Sequence, residues 1–402
     1  MTTHYVTLTT FNTPAKNLSS YAETMDTANK RNSSNNDISN TETVIDQYLP
    51  PLLIVIGAIS NILVIKIMRS VFFRFVSTSF FILVTSVLDV FSLLVLLTVH
   101  WINANFPEIM YRGEHAHIMC KIFNFTGWGT SDLGIILTVA MTTERALAIL
   151  FPMKAHIWCT VKKAKEMFSI LTLVIIIKDF HFLITSDMTP ATRRDLLCFV
   201  SPSSKFFQTF WTDVWPYLHN GFLLVSFSII MISNFIIIRH IRESDKIYNS
   251  KLSESKQNYD THNMSKHQRG HSKRRQIAIM LLVDSFTIVI CTLPFSVFVT
   301  LESNSEFLNS NWNEKQIRHL ISSLGFYLLY VNRCCNFFLY CISGRRFRKA
   351  LTIVVCRWRH TIEERVLSDN FNSKKSSSRP TNAIVSVSQD VRNSCHSFST
   401  RL

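Results

Sequence analysis

Asp89, Glu144, Arg145, Asp284 and Arg333 are charged residues that stand inside largely apolar stretches. A charge held away from water is costly unless it is paired, so each asks for an opposite charge, a bound ion or a wet cavity. The chemistry such residues can do is that of ion pairs and polar switches. Catalysis would need a nucleophile beside a base, or metal ligands on neighbouring elements, and no such spacing can be read from the chain. His262, His267 and His271 fall in a polar segment without helical or strand periodicity, and the nine cysteines match no zinc spacing. No metal, no cofactor and no enzymatic activity are therefore expected.

The elements that must hold these charges are long apolar blocks, in a chain that is 47% hydrophobic and only 17% charged. Crossing a hydrocarbon layer of ~30 Å takes about 20 helical residues, because backbone groups cut off from water must pair within the segment. Seven stretches fit: Leu49 to Met68, Val76 to Val99, Met119 to Leu150, Met167 to Leu183, Val214 to Ile238, Ile277 to Leu301 and Ile317 to Ile342. The fourth carries Lys178, Asp179 and His181, so its outer end is expected to be wet or packed against protein. The fold class that follows is an all-α membrane protein built as a seven-transmembrane helix bundle.

The charge of +15 is not a nucleic-acid signal, because basic residues fall between the apolar blocks and form no stripe with interleaved aromatics. With the amino terminus outside, about 30 of the 42 Lys and Arg lie in inner loops and tail, as the positive-inside rule requires. Anionic lipids of the inner leaflet favour that arrangement. Residues 1–47 read as an extracellular tail, 48–343 as the bundle, and 344–402 as an amphipathic helix with a disordered cytoplasmic tail. No basic start with an apolar core precedes the first span, so that span is expected to serve as the signal. Asn17 and Asn32 head Asn-Leu-Ser and Asn-Ser-Ser, glycosylation triplets in the outer tail. The segment from Arg239 to Arg275 reads as a disordered connector with helical ends.

Several segments resemble the rhodopsin-like G-protein-coupled receptors. Thr-Glu-Arg-Ala-Leu-Ala-Ile-Leu-Phe-Pro (143 to 152) is similar to the Asp/Glu-Arg-Tyr segment that ends span three, with Arg145 as the central arginine and Ala146 in place of the tyrosine. Ser-Val-Leu-Asp ending at Asp89 resembles the buried acid of span two, and Gly57-Ala-Ile-Ser-Asn61 the small-residue and asparagine pairing of span one. Cys291-Thr-Leu-Pro294 is similar to the hinge of span six, with Thr292 where tryptophan is usual. Asn336-Phe-Phe-Leu-Tyr340, followed by a basic amphipathic stretch, resembles the end of span seven and the eighth helix, with Phe337 where proline is usual. The resemblance covers about residues 48 to 355, and the order of the motifs among seven spans makes it specific.

The resemblance implies a receptor that binds an extracellular ligand and activates a heterotrimeric G protein as span six swings outward. It implies a disulfide between Cys120 and Cys198, and a switch in which Glu144 holds Arg145 at rest while Pro294, Asn336 and Tyr340 take part in opening. Asp89 belongs to a sodium pocket in the family, with Asn332 and Asn336 as polar neighbours. Arg333 stands in that region here, so Asp89 either binds sodium or pairs with Arg333, and Arg333 could instead reach outward. Asp284, about 15 Å inward of Pro294 at ~1.5 Å per residue, could reach Arg145 or the surroundings of Tyr340. Lipidation of Cys356, with Cys341 as the alternative, would pin the eighth helix. Serines from Ser373 to Ser399 suit phosphorylation for arrestin-like partners, and Thr400-Arg-Leu402 fits a PDZ-type domain.

Amine receptors of the family carry an aspartate seven residues after the span-three cysteine, where this chain has Gly127. A long second outer loop from about Ile184 to Asp213, with outer acids such as Asp187, Asp195, Asp213 and Glu302, suits an extended cationic peptide. The end of span seven is also similar to invertebrate receptors for peptides ending in Arg-Phe-amide. The expected site is the plasma membrane. The rival reading, a transporter or channel, would call for an internal repeat with interrupted helices, and none is visible.

Overall fold

The computed structural model describes residues 44–71, 73–106, 115–192, 195–200, 205–255, 279, 282–298 and 312–356. Asn17, Asn32, most of the connector before Arg275 and the tail beyond Cys356 lie outside them. Five helices are long and apolar enough to cross a membrane: α1 (Val44–Met68), α2 (Ser77–Asn105), α3 (His115–Leu150), α4 (Val161–Thr185) and the first 30 residues of α5. α5 runs from Trp215 to Ser255, α6 is described over Leu282–Phe298, and α7 spans Trp312–Ser343. A short helix over 345–356, α8, follows Gly344.

The outer faces of these helices are apolar where a soluble protein would be polar. Leu52, Val55 and Ile59 on α1, Ile170, Leu173 and Ile177 on α4, and Leu224, Ile232 and Phe235 on α5 are all exposed. Such faces are stable only against lipid, and the interior is left to build specificity from small and polar contacts. With the half of the bundle at the amino-terminal end of α1 called outer and the half at α8 called inner, the inner half packs Val64, Ile67, Phe81, Leu137, Met141, Tyr340 and Phe347 into one core, and the outer half packs Leu53, Leu93, Leu97, Tyr327 and Tyr330 into another.

α4 exists despite its short charge-free run. It starts at Thr160, whose side chain accepts from the Lys163 amide, and its inner turns carry Lys162, Lys163 and Lys165. Its outer end is packed against protein: Asp179 and Phe182 are fully buried. Two π-helical segments interrupt the bundle, Ser92–Leu97 within α2 and Phe210–Val214 at the entry to α5. The connector after Arg239 continues α5 as far as Ser255.

The second outer loop departs from the all-helical expectation. Strand β1 (Ser186–Thr192) pairs antiparallel with β2 (Asp195–Val200), setting Met188 opposite Cys198, with the register shifting between Pro190 and Thr192. The hairpin lies against the outer end of α3. Pro190 within β1 hides the strand from a reading by alternation, and the irregular register follows from the amide that proline lacks.

Glycine at position 57 is what lets α1 approach α2 and α7. A Cβ there would come within 2.6 Å of Cys334 Sγ and 2.6 Å of Leu93 Cδ1. Overpacking of a buried contact costs about 1–3 kcal/mol. Gly57→Ala should lower the thermal midpoint of the purified protein, and Cys334→Ala, which removes one of the two obstacles, should recover part of the loss. Strictly additive effects of the two substitutions would show that they do not meet.

A buried charge network at the candidate functional site

The bundle interior is organised by Arg333 of α7. Its Nη1 donates to Asp89 Oδ1 of α2 at 3.0 Å and its Nη2 to Ser131 Oγ of α3 at 3.0 Å. Asn336, one turn further along α7, donates to the other Asp89 oxygen at 3.2 Å. Asn61 of α1 donates to the main-chain carbonyls of Gly57 and Arg333, both at 2.9 Å. Four helices thus meet on one ion pair, and Asp89, Arg333, Asn336 and Asn61 are all buried. Asn332 is half-buried and takes no part in the hydrogen bonds drawn among the described residues.

Charge arithmetic explains why this set is stable. One carboxylate and one guanidinium cancel, and the second carboxylate oxygen is met by an amide donor, so little of Asp89 is left without a partner. The guanidinium also sits 5.9 Å from the Tyr330 ring centroid.

At the inner end of α3, Glu144 accepts from the Ser77 hydroxyl of α2, a contact that ties α2 to α3. Arg145 does not share it. Its Nε and Nη2 are buried and have no hydrogen-bond partner among the described residues, and Glu144 Oε2 is likewise unmet. The pairing of Glu144 with Arg145 expected from the sequence is therefore replaced by Glu144 with Ser77. A helix turns neighbouring side chains about 100° apart, so adjacent residues do not face each other.

Asp284 of α6 finds Tyr340 of α7: the phenol donates to the carboxylate, and both residues are buried. Asn234 of α5 and Ser285 of α6 form a second buried link, with heavy atoms 2.8 and 3.0 Å apart. Pro294 sits on the exposed side of α6, and beside it the Phe295 main chain packs on Gly325 of α7, where a Cβ would lie 3.3 Å away. Beyond Tyr340, Phe347 of α8 packs its ring against Tyr340 and Phe337, and Arg348 caps the carbonyls of Cys341 at 2.8 Å and Ile342 at 3.0 Å. The large ring at 337, where proline is usual, thus serves to seat α8. Cys356, the last described residue, is half-buried with a free thiol.

Towards the outside, Cys120 at the head of α3 is buried and disulfide-bonded. Gly127, one turn outward of Ser131, faces open space. Below it lies a cluster not anticipated from sequence. Lys178 Nζ reaches Asp132 Oδ2 at 2.5 Å and Asp179 Oδ1 at 2.9 Å, and His219 Nδ1 lies 3.6 Å from Asp132. The Trp128, Trp215 and His219 rings pack around it. An acid amid the apolar residues of span three, Asp132, was the available signal.

A helical membrane bundle with an intramembrane ion pair, an arginine whose donors are buried and unmet at the inner end of its third helix, and an aromatic cluster near the outer end is the class of protein that fold and site define. The profile of the family "7 transmembrane receptor (rhodopsin family)" matches residues 60–340, and the chain belongs to that family. Among curated proteins it is 23% identical to the FMRFamide receptor of Drosophila melanogaster over 227 residues, 55% of this chain and 36% of the relative. It is 35% identical to the B2 bradykinin receptor of Oryctolagus cuniculus over 77 residues, 19% of this chain and 21% of the relative. A probable G-protein coupled receptor of Caenorhabditis elegans is 20% identical over 312 residues, 75% of this chain and 67% of the relative. The chain spans about a third of the FMRFamide receptor and a fifth of the bradykinin receptor.

Breaking a buried pair from one side leaves an uncompensated charge and costs about 3–5 kcal/mol, whereas replacing both partners by apolar residues is far milder. Arg333→Met and Asp89→Leu should each lower the thermal midpoint sharply, and the double variant should lose less than either alone. A double variant that loses the sum of the two would show that the residues act independently.

Proposed function

We propose that the chain is a G-protein-coupled receptor of the plasma membrane, with its amino terminus outside, that binds an extracellular peptide and activates a heterotrimeric G protein. The observation that carries this reading is the inner end of α3, where Arg145 holds two buried donors unmet among the described residues, in a bundle of the rhodopsin family. A guanidinium in that state is poised to donate to carbonyls or a carboxylate of a partner that enters when α6 moves away. No enzymatic activity is part of the reading, and a transporter or channel would belong to another family.

The peptide is supported by the names of the FMRFamide and bradykinin receptors among the relatives, and by Gly127 where an amine receptor would carry an acid. In this reading the disulfide of Cys120 runs to Cys198, supported by the contact of β2, the strand that carries Cys198, with α3. In this reading Asn17 and Asn32 are glycosylated on the outer tail, residues 1–47. Arrestin and PDZ-type proteins engage the inner tail within 344–402, and Cys356 is lipidated to hold α8 on the membrane.

At rest α6 is held to α7 through Asp284 and Tyr340, and moving α6 outward separates them. Arg145, Asn336 and Tyr340 then line the opened cavity, with Pro294 supplying the bend in α6. A signal arriving from outside thus crosses the network around Arg333 before it reaches the inner face.

Nucleotide exchange on purified G proteins, with receptor levels at the cell surface matched, tests this reading against a library of amidated peptides. Arg145→Ala should abolish peptide-stimulated exchange. Asp284→Asn, which weakens the contact with Tyr340, should raise exchange without peptide. Full activity in Arg145→Ala, or basal exchange unchanged in Asp284→Asn, would contradict the two roles separately.

A further inference from the structure

The Asp132, Lys178 and Asp179 cluster has no role in the switch just described, and it is unbalanced. Two carboxylates face one ammonium in the outer half of the bundle, and Asp132 and Asp179 are buried to 1% and 0% exposure. Four buried polar atoms of the same neighbourhood have no hydrogen-bond partner among the described residues: Asp179 Oδ2, His181 Nε2, Trp215 Nε1 and His219 Nδ1, the last only within a loose 3.6 Å of Asp132. Native interiors leave few such atoms, and their concentration in one place points to a group that arrives from outside.

The surroundings say what kind of group. The free oxygen of Asp179 lies 3.8 Å from where a Cβ would stand on Gly129, so small residues leave room beside it. Lys178 already uses one aromatic face, with Nζ 4.4 Å from the Trp215 ring centroid, and Trp128 stacks with Phe182 at 5.5 Å. Carboxylate oxygen with aromatic walls is the environment of an organic cation. The metal alternative is weak, because no group of three or more metal-ligating side chains occurs among the described residues. The cluster also sits directly behind the hairpin, since Asp179 and His181 precede β1 by a few residues, and the π-helical segment Phe210–Val214 leads straight into Trp215. Such segments are frequent at functional sites.

We propose that Asp132, Lys178 and Asp179, walled by Trp128 and Trp215, form a subsite that receives a guanidinium or ammonium group of the extracellular ligand. The incoming cation occupies the free oxygen of Asp179 and brings the cluster to neutrality. Trp215 Nε1 is a donor left for a carbonyl of the same ligand. This assignment rests on the receptor reading for the identity of the ligand, although its test does not.

The full-length purified protein is heated with phenethylguanidine, with its neutral isostere phenethylurea, or with sodium chloride at the same concentration. A ligand that binds only the folded state raises the midpoint, here by about 2–4 °C near saturation. The rise should appear with the guanidine alone and vanish in Asp179→Asn, and Asp132→Asn, which balances the cluster from the other side, should give the same loss. No rise with the guanidine, equal rises with guanidine and urea, or a rise that survives both substitutions would overturn the subsite. Because the readout is binding, a failure of peptides to stimulate G proteins would count against the receptor reading and leave this result intact.

Discussion

The rest of the structure depends on the ion pair between Asp89 and Arg333. A lone carboxylate at that depth would have to be protonated, hydrated or matched by a cation, and here the matching cation is covalently part of α7. Because the guanidinium is forked, it holds α2 and α3 at once, and its own main-chain carbonyl is taken by Asn61 of α1. The close approach that makes this possible is set by Gly57, where no side chain would fit without displacing Cys334 or Leu93. Small-residue packing and charge pairing are thus one arrangement seen from two sides.

From that centre, coupling runs in both directions. Inward, Asn336 joins the pair to the end of α7, where Tyr340 meets Asp284 of α6 and Phe347 of α8. Asn234 and Ser285 fasten α5 to α6. Outward, the Arg333 guanidinium lies near Tyr330, whose ring packs on Phe326, and Phe326 packs on Phe295 beside the α6 proline. Interiors of this density shift between discrete arrangements rather than deforming continuously, so these contacts form a continuous packed path between the two ends of α7.

Much of this was legible in the sequence, because in a membrane the exceptions to apolarity are few and each has a price. Asp89, Arg333 and Asn61 are readable as a set once seven apolar stretches are counted, and α8 is readable from its basic and aromatic spacing. What escaped is what depends on distance in space. Asp132 and Lys178 are 46 residues apart, and Asp132 follows the weakly apolar run Thr126 to Ser131, where a carboxylate draws less notice. The hydrogen bond of Glu144 to Ser77 also escaped, because the resemblance directs attention to Arg145 and Ser77 lies 67 residues away on α2. The β-hairpin escaped because Pro190 breaks the alternation of its first strand.

The claim on which the account stands is that Arg333 takes the place of a bound cation at Asp89. It is tested most directly by the thermal midpoint of the purified protein in sodium chloride against choline chloride at equal ionic strength, for the wild type and for Arg333→Ser. The wild type should show no sodium dependence and the variant a saturable sodium-dependent rise, because there the carboxylate is left without its cation. A saturable rise in the wild type, lost in Asp89→Asn, would mean that Asp89 binds sodium and that its contact with Arg333 is not the organising pair.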